Sequence, residues 1–123
     1  MRLEHVNLTV SDVERSVDFY SKLLGLQVRW EGRDETGAPM AHVGTDSHYL
    51  ALFQASQEGR AAHDYSTVGV NHVGFVVDDL DAARERAEGL GTTVHLEADY
   101  DPGRRIYVTD PDGIEIELVE YAA

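Results

Sequence analysis

The sequence contains no cysteine. Disulfides, thiolate metal sites and cysteine nucleophiles are therefore excluded. Basic residues are scarce: ten Lys and Arg face 23 Asp and Glu, a formal net charge of −13. Such a chain has no basic footprint for nucleic acid or for an anionic membrane, and its acid excess reads as a solvated surface that aids solubility. Long apolar runs are also missing. The opening MRLEHVNLTV has no signal-peptide core, and nothing approaches a membrane span, so a soluble, cytoplasmic protein is expected. What remains is ordinary globular material: 123 residues, 42% hydrophobic and 27% charged. A chain of this length suits one domain and buries roughly 65% of the surface that its unfolded form exposes.

The chain repeats itself. His5-Val6-Asn7-Leu8-Thr9-Val10-Ser11-Asp12 resembles His72-Val73-Gly74-Phe75-Val76-Val77-Asp78-Asp79, and Leu24-Gly25 recurs as Leu90-Gly91. Each strand-like opening leads into a helical pattern that stops at a glycine. The first helix is expected over Asp12–Leu24, with Ser11 as N-cap, Glu14 completing a capping box, and an apolar stripe of Val13, Val17, Tyr20 and Leu24. The second is expected over Leu80–Leu90, with Leu80, Ala83, Ala87 and Leu90 inward. Three strand-like runs follow each helix: Leu26–Glu31, Met40–Val43 and His48–Gln54, then Thr93–Glu97, Arg105–Thr109 and Glu115–Glu120. Asp34-Glu35-Thr36-Gly37 and Asp110-Pro111-Asp112-Gly113 carry turn chemistry. The pattern is an α+β protein of two tandem βαβββ modules, about residues 1–56 and 69–123, joined by a connector at about 57–68. Neither half is a comfortable independent domain at this size, so the whole is read as one domain with internal pseudo-symmetry.

Strand alternation separates two faces. Val6, Leu8 and Val10, Val73, Phe75 and Val77, Leu50 and Leu52, Ile106 and Val108, and Ile116 and Leu118 form aliphatic faces suited to packing on the helices. The opposite face carries His5, Asn7, Tyr49, Phe53, His72, Arg105, Tyr107, Glu115 and Glu117. Aromatic walls with a few polar groups are what a small-molecule site needs. Two imidazoles and a carboxylate among them suit a divalent transition metal with coordination positions left open. A strand histidine on a polar face is also compatible with a structural or solvated role.

These motifs together resemble the vicinal oxygen chelate superfamily, which includes glyoxalase I, fosfomycin-resistance enzymes, extradiol dioxygenases, methylmalonyl-CoA epimerase and bleomycin-binding proteins. The resemblance runs from Leu3-Glu4-His5-Val6 through Phe19-Tyr20-Ser21-Lys22-Leu23-Leu24-Gly25-Leu26 and Asn71-His72-Val73-Gly74-Phe75. Its most specific stretch is Tyr107-Val108-Thr109-Asp110-Pro111-Asp112-Gly113-Ile114-Glu115-Ile116-Glu117-Leu118. It implies a cupped mixed sheet of paired modules, with His5, His72 and Glu117 as ligands of a divalent metal: Fe(II) or Mn(II) first, Zn or Ni next.

One departure narrows the choice. Glyoxalase I-like enzymes take a fourth ligand from the last strand of the first module, and the matching residue is Ala51, which has no donor atom. Gln54 is three residues on, with the wrong parity. A three-ligand set is shared by extradiol dioxygenases and fosfomycin enzymes, and both carry a tyrosine where Tyr107 stands. Fosfomycin enzymes have a hydroxyl residue where this chain has Asn7, so the resemblance favours an extradiol-type dioxygenase acting on a small substrate with vicinal oxygens. His42 and His48 are its candidate acid–base histidines. Tyr107 is expected to meet a substrate oxygen, and Asn7, Tyr49, Phe53 and Arg105 to bind substrate. Two alternatives stand beside this one. In a metal-dependent lyase, isomerase or epimerase, Glu115 would be the base. In a non-catalytic bleomycin-resistance-type binder, Trp30, Tyr49 and Phe53 would form the walls. A homodimer is implied by the resemblance alone.

Overall fold

The computed structural model describes residues 1–60 and 65–122. The chain divides into two compact units, Met1–Glu58 and Gly59–Ala123, and each has the β-α-β-β-β order expected from the repeat. The first contains β1 (His5–Val10), α1 (Val13–Leu24), β2 (Gln27–Arg33), β3 (Pro39–Gly44) and β4 (Tyr49–Gln54). The second contains β5 (His72–Val76), α2 (Leu80–Gly89), β6 (Leu96–Tyr100), β7 (Gly103–Thr109) and β8 (Glu115–Tyr121). Each unit has its own four-stranded mixed sheet, ordered β1-β4-β3-β2 and β5-β8-β7-β6. In both, the opening strand runs parallel to the last strand, and the other pairs are antiparallel. The connector expected at 57–68 falls partly on residues 61–64, outside those described.

Alternation assigns the aliphatic faces correctly. Val10, Leu50 and Leu52 in the first unit, and Ile106, Val108, Ile116 and Leu118 in the second, are buried. Each core gains a helix. α1 buries Val13, Ser16, Phe19, Tyr20 and Leu23, a stripe turned slightly from the expected one, so that Val17 and Leu24 lie at its margin. α2 buries Leu80, Ala83 and Ala87; the two alanines sit one turn apart on its inward face.

The helix starts correct the sequence reading. Ser11 is not the N-cap of α1. Asp12 is: its backbone is extended and its carboxylate accepts from Arg15 N at 3.2 Å. Ser11 takes the Arg15 guanidinium on its hydroxyl at 2.6 Å, one residue ahead of the N-cap. Asp79 caps α2 in the same way, accepting from Ala82 N at 3.0 Å. The last strand of each unit adds a second acceptor to its own helix: Gln54 Oε1 takes Val13 N at 3.3 Å, and Glu120 Oε1 takes Leu80 N at 2.9 Å. These side chains satisfy amides that have no partner inside the helix. Gly25 ends α1 at φ +68°, as expected of a left-handed C-terminal residue.

One strand is displaced. β6 occupies Leu96–Tyr100 rather than Thr93–Glu97. Its register is set by the tight connection to β7, which pairs Tyr100 with Gly103 and Leu96 with Tyr107. The β-branched residues that suggested strand lie ahead of it, where Thr92 donates its hydroxyl to Thr109 O at 2.8 Å.

Candidate functional site

The Asp110–Gly113 turn aims the most acidic strand. Asp110 is buried, and its Oδ1 accepts from Asp112 N at 2.8 Å and Ile114 N at 2.9 Å. Gly113 adopts φ +81°, which suits glycine. β8 leaves this turn with Ile116 and Leu118 inward and Glu115 and Glu117 on the other face. Register sets His72 beside Glu115, Gly74 beside Glu117, and Tyr107 beside Glu117.

Within the second unit these residues form a connected polar cluster. Tyr107 donates its hydroxyl to Glu117 Oε1. His72 Nε2 lies 3.8 Å and Arg105 Nη1 3.9 Å from that same oxygen. The Glu117 side chain is only 14% exposed. Glu115 is the second hub: Tyr65 donates to its Oε1 at 2.5 Å, and His95 Nε2 stands 3.5 Å from its Oε2. His72 Nδ1 is 3.3 Å from the Tyr65 hydroxyl and 3.9 Å from Glu115 Oε1. The hydrogen bond to Glu115 pushes the Tyr65 phenol up to about 12, with burial adding to it. The bond to Glu117 raises Tyr107 still further, again aided by burial. Arg105 lies over the Tyr100 ring at 4.5 Å, and its buried Nε–H has no hydrogen-bond partner among the described residues.

The first unit presents a row of rings across all four strands. His5 stacks on Tyr49 at 4.9 Å, Tyr49 on His42 at 4.5 Å, and His42 leans on Trp30 at 4.8 Å. Arg29 lies over Tyr49 at 4.6 Å. His5 Nδ1 is 2.9 Å from Glu4 Oε1, to which Tyr49 also donates at 3.3 Å. The bond to His5 holds the Glu4 carboxyl below its usual range. Burial raises the Tyr49 phenol and lowers His42, with nearby His5 pushing His42 the same way. Asn7 donates to Ala51 O at 2.9 Å, and Phe53 is 42% exposed. His48 is outside the row, with its Nδ1 3.1 Å from Ser47 Oγ.

Of the residues expected at the site, Arg105, Tyr107 and His72 therefore meet Glu117 in one unit, and His72 links them to Glu115, while His5 and Tyr49 are in contact in the other. Among the described residues, no group of three or more His, Asp or Glu side chains is drawn together as a ready metal cage. Sequence reasoning missed Glu4, Tyr65 and His95. Glu4 was legible as the neighbour of His5; Tyr65 lies outside any strand pattern, and His95 falls in the run expected as a strand over Thr93–Glu97, just ahead of the strand that forms.

The profile of the Glyoxalase/Bleomycin resistance protein/Dioxygenase superfamily matches residues 2–118. The chain belongs to this superfamily. Its superfamily relatives differ in chemistry. A lactoylglutathione lyase of Escherichia coli O157:H7 is 32% identical over 126 residues, covering 98% of this chain and 93% of that protein. Metapyrocatechase 2 of Cupriavidus necator is 34% identical over 123 residues, covering 99% of this chain but 36% of that protein. Among solved structures, a glyoxylase/bleomycin resistance protein/dioxygenase domain from Frankia sp. EAN1pec superposes with a TM-score of 0.83 at 25% identity, covering 99% and 93% of the two chains. A variant fosfomycin resistance protein from Listeria monocytogenes, complexed with Mn(II) and 1S,2S-dihydroxypropylphosphonic acid, shares the fold at a TM-score of 0.77 and 21% identity, covering 96% and 90%. Mn(II) is thus bound in one protein that shares this fold. No described helix of this member is long and apolar enough to cross a membrane.

Proposed function

We propose that the protein is a metal-dependent enzyme in which His5, His72 and Glu117 bind one divalent cation, Fe(II) or Mn(II) before Zn or Ni. The observation that carries this reading is the facing of His72 Nε2 and Glu117 Oε1 at 3.8 Å. Two metal bonds of about 2.1 Å span at most about 4.2 Å, so this pair fits a single ion. Neutral imidazole and carboxylate suit first-row divalent metals. His5 is the proposed third donor. When bound, such an ion supplies Lewis acidity and a template for a substrate chelating through adjacent oxygens.

The chain's own residues would do the rest. Tyr107 holds Glu117 in one orientation by donating its hydroxyl, and its oxygen is left to accept from a hydroxyl on the substrate. The Arg105 guanidinium, held over Tyr100 and beside Glu117, would attract an anionic substrate group. Asn7, Tyr49 and Phe53 are the other proposed substrate-binding residues. The absence of a donor at Ala51 supports a three-ligand, extradiol-dioxygenase-type reaction. The near full-length likeness to a lactoylglutathione lyase favours a second reading, a lyase or isomerase with Glu115 as base. Catechols and α-hydroxycarbonyl compounds should be screened with the Fe(II)- or Mn(II)-loaded protein. O₂ uptake stoichiometric with catechol loss supports the first reading. Solvent deuterium entering the product without O₂ uptake supports the second. Neither activity, together with ring-ligand binding that ignores added metal, would replace both with a binding protein.

We further propose a cytoplasmic homodimer. A solution mass near twice 13.6 kDa by light scattering is expected, and a monomer mass would reject it.

A further inference from the structure

The two histidines proposed as ligands come from matching positions of the repeat, yet their surroundings are built from different residues. In the first sheet the cross-strand partner of His5 is Tyr49; in the second, the partner of His72 is Glu115. One sheet thus has a tyrosine where the other has a carboxylate. Each then recruits the missing group from elsewhere. Glu4, the residue before His5, brings a carboxylate to Tyr49 and to His5 Nδ1, at 3.3 and 2.9 Å. Tyr65, from the segment ahead of β5, brings a phenol to Glu115 and to His72 Nδ1, at 2.5 and 3.3 Å. The same trio of imidazole, carboxylate and phenol results twice.

We infer that each carboxylate–tyrosine pair is a positioning device that fixes its histidine as the Nδ1–H tautomer and frees Nε2 for the metal. The proton count is consistent. Tyr65 spends its hydroxyl proton on Glu115, so its oxygen is left to accept from His72 Nδ1–H. Glu4 Oε1 accepts from both Tyr49 and His5 Nδ1–H. Imidazole then has its lone pair on Nε2, which in His72 is the nitrogen facing Glu117. Partners of this kind on the remote nitrogen orient a ligand and raise its basicity, and their loss costs about 10–100-fold in metal affinity. The two devices differ in strength. His72 and Glu115 side chains are 29% and 13% exposed, against 46% and 51% for His5 and Glu4. Solvent screening therefore makes the Glu4 device the weaker one.

This inference rests on the metal reading above, and its test separates the two. Mn(II) binding is measured by electron paramagnetic resonance on wild type, Glu115→Gln, Tyr65→Phe, Glu4→Gln and His72→Ala, with folding checked by circular dichroism. Imidazole tautomers are read from ¹⁵N shifts of the metal-free proteins. Expected are Nδ1–H tautomers for His5 and His72 in wild type, and loss of that preference at His72 in Glu115→Gln and Tyr65→Phe. Mn(II) should bind about 10–100-fold more weakly to those two, and less than about 10-fold more weakly to Glu4→Gln. Wild-type Mn(II) affinity and an unchanged His72 tautomer in folded Glu115→Gln and Tyr65→Phe would overturn the positioning role and leave the metal reading standing. Undiminished Mn(II) binding by His72→Ala would overturn the metal reading, and this inference with it.

Discussion

Replacing Tyr107 with Phe removes one oxygen and leaves the ring. The edge-on contact with His72, at 5.5 Å between centroids, would survive. What is lost is the hydroxyl donated to Glu117 Oε1. A hydrogen bond to a charged acceptor contributes about 1.5–3 kcal/mol. The Glu117 side chain is 14% exposed, so water replaces the bond poorly. Arg105 Nη1 at 3.9 Å and His72 Nε2 at 3.8 Å offset part of the loss, which favours the lower half of the range, about 2 kcal/mol. In urea, with a slope of roughly 2 kcal/mol/M, the midpoint should fall by about 1 M with the slope unchanged. For a chain of this length the same loss lowers Tm by roughly 6–10 °C. Metal-free protein, kept so with a chelator, is unfolded in urea and followed by circular dichroism. Tyr121→Phe, at a residue 49% exposed, serves as control and should stay within about 0.5 kcal/mol of wild type. An unchanged midpoint for Tyr107→Phe, or a higher one, would refute the claim that this hydroxyl holds a half-buried carboxylate.

Other perturbations probe the frame of the site. Asp12→Ala and Asp79→Ala should each cost about 1 kcal/mol, as N-caps do, whereas Ser11→Ala should cost less than either in the same urea assay. Leu118→Ala, at a fully buried position two residues after the first hub carboxylate's neighbour Ile116, should cost about 2–5 kcal/mol. In alkaline titration followed by phenolate absorbance, Tyr65 should ionise near 12, above the ordinary 10.0. Because its folded value is raised, the stabilisation from this bond is complete below about pH 10 and fades as pH climbs through about 12. Glu115→Gln removes the largest cause of the shift and should return Tyr65 towards 10; a transition still near 12 would refute that assignment.

The sequence carried the sheet faces well because side-chain direction alternates strictly along a strand. His72, Tyr107, Glu115 and Glu117 were placed on one face by parity alone, and the Asp110–Gly113 turn that aims them was legible as turn chemistry. The helix start was harder. Ser11 and Asp12 are both good caps, and Glu14 sits three residues after Ser11, so the pattern fitted a frame one residue too early. β6 was misplaced because its register depends on pairing with β7 rather than on the β-branched residues ahead of it. Tyr65 lies outside periodic segments and His95 in a run whose strand forms further on, and only tertiary structure reveals that both reach Glu115. The ring row from His5 to Trp30 was partly visible as aromatic residues, but the place of His42 within it follows from cross-strand register.

The most direct test of the account is the metal content of tag-free wild-type protein beside Glu117→Gln and His72→Ala, loaded anaerobically with Fe(II) or Mn(II) and measured by elemental analysis. The account predicts about one ion per wild-type chain and its loss in both folded variants. Equal metal in wild type and variants, or none in wild type after loading, would contradict it.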